Sequence, residues 1–121
     1  MKKLILLLIL ASLSCKEQGT NATAQSEVLT ATEFKTAISK KKVQLVDVRT
    51  PDEYAEGHIE NAVNIDYYRD DFSSAFNNLD KDKPIYIYCR SGNRSGKAAI
   101  ILSDLGFKEI YDLKGGFSNY N

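Results

Sequence analysis

The chain has 121 residues, 43% of them hydrophobic, and its 16 basic and 16 acidic side chains cancel to a formal charge of zero. That length suits one domain with an ordinary small core, and the charge balance gives no electrostatic reason to expect nucleic acid or an acidic lipid surface as partner. One His and two Cys are too few for a structural zinc site of four such ligands, so neither a metal nor another cofactor is expected.

The chain opens with Met1-Lys2-Lys3, then the apolar run Leu4 to Ala11, then Ser12-Leu13-Ser14-Cys15. A positive start, a short apolar run and small residues form the layout of a secretory signal. A membrane-spanning helix needs roughly 20 apolar residues, and this run is about half that. Cys15 directly after small residues resembles a bacterial lipoprotein signal, in which the Cys is lipidated. Ser12 stands where that pattern prefers Leu, so Cys15 is either a lipid anchor or part of a removed leader. The expected location is therefore exported, in the cell envelope or periplasm, with membrane contact through the lipid alone. Residues 1–15 are read as signal, 16–27 as a polar tether, and 28–121 as the folded domain.

Within that domain, Thr30-Ala31-Thr32-Glu33 forms a capping box, and Phe34, Ala37 and Ile38 then share a helix face. Val43 to Val48 is a β-branched run that reads as a buried strand. Thr50-Pro51-Asp52-Glu53 is a second capping box with Pro at the first helical position, and Gly57 closes that short helix. Ala62 to Ile65 reads as a short strand. Asp71 is placed to cap a helix carrying Phe72, Phe76 and Leu79. Ile85 to Tyr88 is a strand that runs into Cys89. Ser95 to Leu105 reads as a helix, Glu109 to Leu113 as a strand, and Gly115-Gly116 as its break. Strands separated by helices predict an α/β fold, a mostly parallel sheet with helices on both faces. Ligands of such sheets bind at the carboxyl ends of strands, where Cys89 lies.

Cys89-Arg90-Ser91-Gly92-Asn93-Arg94-Ser95 passes from a strand through a tight polar loop into a helix. Backbone N–H groups in such loops converge as an anion nest, and a helix start adds unpaired donors and a positive dipole end. Arg90 and Arg94 bring two full charges. This setting favours a thiolate, the nucleophilic form of Cys. Cys89 is thus the candidate catalytic residue, with Arg90, Ser91, Gly92, Asn93, Arg94 and Ser95 as candidate substrate-binding residues.

Two stretches now resemble the rhodanese family. One runs from Asp47-Val48-Arg49 through Glu53-Tyr54-Ala55-Glu56-Gly57-His58-Ile59 to Ala62-Val63-Asn64; the other is the Cys89 loop. With Gly115-Gly116, the match spans nearly all of 28–121. Tyr120 stands where the family commonly has Trp. The resemblance implies a rhodanese-like fold and a sulfurtransferase that moves a sulfane sulfur, from a donor such as thiosulfate, through a Cys89 persulfide. The acceptor is left open between cyanide, a small thiol and a protein thiol. Asp47, Arg49 and His58 would be structural. Two other readings stand beside it: a persulfide carrier or partner-binding module without turnover, and a Cys-dependent phosphatase or arsenate reductase. The phosphatase pattern places Arg six residues after the Cys, whereas Arg94 is the fifth.

Overall fold

The computed structural model describes residues 25–121. The signal reading of 1–15, Cys15 as lipid anchor, and most of the tether lie outside the described residues. Five strands form one sheet: β1 (Gln25–Leu29), β2 (Gln44–Asp47), β3 (Val63–Asn64), β4 (Ile85–Tyr88) and β5 (Glu109–Leu113). Their order is β1-β5-β4-β2-β3, and every pairing is parallel. Three helices connect them: α1 (Ala31–Lys40), α2 (Pro51–Glu56) and α3 (Asn93–Asp104).

Both capping boxes form as expected. Thr30 accepts from the Glu33 N–H while Glu33 accepts from the Thr30 N–H, and Thr50 and Glu53 do the same. Each satisfies two donors that a helix start leaves open. The sheet is buried on both faces. One face holds Val46, Ile85, Ile87, Cys89 and Ile110 with Ala98 and Leu102 of α3. The other holds Leu45, Tyr88 and Leu113 with Phe34 of α1. Alternation along β4 explains the division: Ile85 and Ile87 face α3, while Tyr88 faces α1.

Three expectations need correction. The folded unit begins by Gln25, so β1 takes residues 25–27 from the expected tether. Its polar, largely exposed sequence gives no apolar alternation. β1 is an edge strand held by its ladder to β5. The helix expected after Asp71 is a run of turns with a 3₁₀ turn at Ser74–Phe76. Ser and Asn there compete for backbone groups; the Ser74 hydroxyl donates to the Asp71 carbonyl at 3.1 Å. Phe72 and Phe76 are nevertheless buried. Lastly, α3 starts at Asn93, not Ser95, because Gly92 adopts φ 105° as its N-cap.

Candidate active site

β4 delivers Cys89 to the carboxyl end of the sheet, as parallel topology requires. Cys89 is only 1% exposed, as a structural Cys would be. Its polar surroundings set it apart. The Gly92 N–H donates to Cys89 Sγ at 3.0 Å, a turn that the positive φ of Gly92 permits. The first rung of the α3 ladder is the Gly96 N–H to the Gly92 carbonyl, 3.0 Å. The N–H groups of Asn93, Arg94 and Ser95 therefore precede the ladder and face the Cys89 loop.

The loop is braced from behind by the chain's last turn. The Phe117 N–H donates to the Cys89 carbonyl at 2.8 Å, and the Ser118 N–H to the Arg90 carbonyl at 3.0 Å. The Ser118 hydroxyl donates to the same oxygen at 2.8 Å. Gly116 makes this approach possible. A Cβ there would lie 2.4 Å from the Arg90 carbonyl oxygen, and the residue's φ is 65°.

A second brace comes from β2. Asp47 accepts from the Arg49 backbone N–H, Nε and Nη2 at 2.7 to 3.1 Å. Arg49 Nη2 also donates to the Gly57 carbonyl at 2.7 Å, and the guanidinium lies 4.4 Å from the centre of the Phe117 ring. Burial works against the Arg49 charge, but the hydrogen bonds and charge of Asp47, together with Tyr88, outweigh it and raise its pKa. Asn64 Nδ2 donates to the Asp47 and Arg49 carbonyls. Asp47 and Arg49 thus lie behind the loop and connect to Cys89 through Phe117.

The two loop arginines differ. Arg90 is exposed, as are Ser91 and Asn93. Arg94 is engaged: Nη1 and Nη2 donate to the two Glu53 oxygens at 2.7 and 3.0 Å. The Arg94 hydrogen bond holds Glu53 down to about 2 against burial. The same bond raises Arg94. Arg94 is therefore a half-neutralised cation beside the sulfur. His58 stacks on Tyr54 at 3.6 Å and bonds the Tyr54 carbonyl through Nδ1, away from the loop. Among the described residues, no cluster of His, Cys, Asp or Glu could hold a metal.

Comparison with known proteins decides the family. The sequence profile of the rhodanese-like domain matches residues 30–121. The chain belongs to the rhodanese-like family. Among relatives, the thiosulfate sulfurtransferase GlpE of Coxiella burnetii is 37% identical over 69% of this chain and 76% of its own length. The tRNA uridine(34) hydroxylase of Pelagibacter ubique is 41% identical over 69% of this chain, which spans only 28% of that protein. A solved rhodanese-like domain protein from Staphylococcus aureus superposes with a TM-score of 0.70 at 33% identity, covering 78% of this chain and 91% of that one.

In this rhodanese-like domain the structure brings together Cys89, Gly92, Arg94 and Ser95, and puts the Arg90, Ser91 and Asn93 side chains at the rim. Sequence reasoning missed Glu53 as a partner of Arg94, Phe117 and Ser118 as the rear brace, and Tyr68, whose exposed ring lies 5.8 Å from the Arg94 guanidinium. It also missed Asp112. Only Glu53 carried a signal, and its capping role accounted for it.

Proposed function

We propose that this rhodanese-like domain is a sulfurtransferase in which Cys89 takes the sulfane sulfur of thiosulfate and passes it to a thiophilic acceptor. The Cys89 thiolate attacks the outer sulfur. The S–S bond of thiosulfate breaks, sulfite leaves with the bonding pair, and Cys89 carries the sulfur as a persulfide anion. Cyanide then takes that sulfur to give thiocyanate and returns the thiolate; a small thiol or a protein thiol is the alternative acceptor. The observation that carries this reading is the 3.0 Å bond from the Gly92 N–H to Cys89 Sγ at the start of α3, where an anionic sulfur gains most from unpaired donors. Arg94 supports it, and Arg90 at the rim is available to draw in a dianion. The bidentate bond from Arg94 to Glu53 leaves it poorly placed to wrap a phosphoryl group, which disfavours phosphatase chemistry.

Incubating the purified protein with thiosulfate should add one sulfur, about 32 Da, to Cys89, as covalent nucleophilic catalysis requires. Cyanide should remove it with release of thiocyanate. Cys89→Ser should stay folded and do neither. Sulfur transfer that survives Cys89→Ser, or a Cys89 that gains no sulfur from any small donor, removes this reading. The partner-binding alternative then leads. We further propose export and anchoring through Cys15. Detergent partitioning of the protein, lost in Cys15→Ala, is the expected result, and an unmutated exported protein found wholly in the aqueous phase overturns it.

A further inference from the structure

Asp112 is a buried charge that the proposed chemistry does not use. It is 5% exposed, and its Oδ1 has no hydrogen-bond partner among the described residues. A buried carboxyl oxygen without a partner is costly and calls for an explanation.

Its position supplies one. Asp112 lies on β5 in register with Ile87 of β4, two residues before Cys89. Alternation puts it on the same sheet face as Ile110, which packs with Ile87 and Cys89 against α3. On the other side β1 offers Val28 at the same register. From above comes Ser95, in the first turn of α3. Ionisable side chains on the surrounding elements are Glu27 on β1, Arg94, Lys97 and Asp104 on α3, and Glu109 on β5, with Cys89 beyond β4. Among the described residues none of these forms an ion pair with Asp112. Burial raises its carboxyl to about 6, and only the Ser95 hydrogen bond pulls the other way. Two contacts lead on to the sulfur. The Ser95 hydroxyl donates to the Gly92 carbonyl at a long 3.4 Å, and the Gly92 N–H donates to Cys89 Sγ at 3.0 Å.

We infer that Asp112 is a positioning residue for the Cys89 loop, its charge setting how strongly the start of α3 holds an anion on Cys89. Ionised, the carboxylate opposes a thiolate, a persulfide or an incoming dianion at the same helix end, and draws the Ser95 hydroxyl away from Gly92. Protonated, it removes that opposition. Capture of an anionic sulfur donor is then strongest on the acid side of neutrality and is attenuated above it. This rests on the sulfurtransferase reading for its consequence, though not for its physics.

The test is the ratio of Asp112→Asn to unmutated protein, because groups common to both cancel. For kcat/KM with thiosulfate the ratio should be close to one below pH 5 and rise to about fivefold above pH 7, with its midpoint near 6, as removal of a nearby like charge predicts. The alkylation rate of Cys89 by iodoacetamide needs no sulfur transfer and should show the same rise. A flat alkylation ratio from pH 5 to 8 overturns the inference even where thiosulfate is consumed. A rising alkylation ratio without thiosulfate turnover upholds it and removes the sulfurtransferase reading instead. Should Asp112→Asn fail to fold, an NMR titration of the Asp112 carboxyl in the unmutated protein replaces it. The midpoint should lie lower in Cys89→Ser, which carries no charge at the sulfur position, and an equal midpoint in the two proteins overturns the inference.

Discussion

Asp47 and Asp112 are both buried carboxyls near the carboxyl ends of strands, yet they are treated in opposite ways. Asp47 has Arg49 wrapped around it with four hydrogen bonds. Asp112 has one hydrogen-bonding neighbour, the uncharged Ser95, and an oxygen without a partner among the described residues. A paired buried charge is scaffold: its hydrogen bonds fix both partners and the backbone around them. An unpaired one stays responsive, because a small change in its surroundings changes its protonation. The fold thus has a rigid brace on the β2 side of Cys89 and a titratable group on the β5 side.

The largest effect should come from breaking the rigid side. Arg49→Ala leaves Asp47 buried without its partner and frees the Gly57 carbonyl. A loss of about 3 to 5 kcal/mol in denaturant unfolding is expected, and a loss under 1 kcal/mol would show that the Asp47–Arg49 pair is not a brace of the fold. Gly116→Ala drives a methyl into the Arg90 carbonyl and forces a positive φ on a residue with a Cβ. About 2 to 3 kcal/mol should be lost, with sulfur transfer falling further than stability does, because the displaced backbone is the Cys89 loop itself.

The titratable side should respond in the other direction. With its carboxyl at about 6, native Asp112 binds more proton than the unfolded chain does between about pH 4 and pH 6. Its contribution to stability therefore falls as pH rises through that window and does not recover above it. Asp112→Asn should be more stable than the unmutated protein by about 2 kcal/mol at pH 8 and about equal at pH 4. Thermal melts at the two values check the sign, and a variant destabilised equally at both would make Asp112 a scaffold residue like Asp47.

Glu53 gives the smallest effect and the opposite sign of pH dependence. Lowered to about 2 by Arg94, its stabilisation is complete above the unfolded value and is lost as pH falls from about 4.5 towards 2. Glu53→Gln should cost about 1 kcal/mol at pH 7 and little at pH 2, since the pair is partly exposed. The same variant frees Arg94, so thiosulfate capture should rise modestly.

The sequence by itself determined the parallel α/β architecture, both capping boxes, and Cys89 at a strand end before a helix. These are local properties: periodicity, cap chemistry and turn residues act within a few positions of one another. β1 is illegible in the sequence because an edge strand held by backbone bonds needs no apolar alternation, and the helix expected over 71–79 does not form because buried phenylalanines fit turns as well as a helix face. Only the tertiary structure decided that Arg94 is shared with Glu53, 41 positions away, that Phe117 and Ser118 brace the loop, and that Asp112 lies under α3 with no ion partner among the described residues. Those facts depend on which strand neighbours which. β5 sits between β1 and β4, and an Asp in a strand shows its charge in the sequence but not what surrounds it.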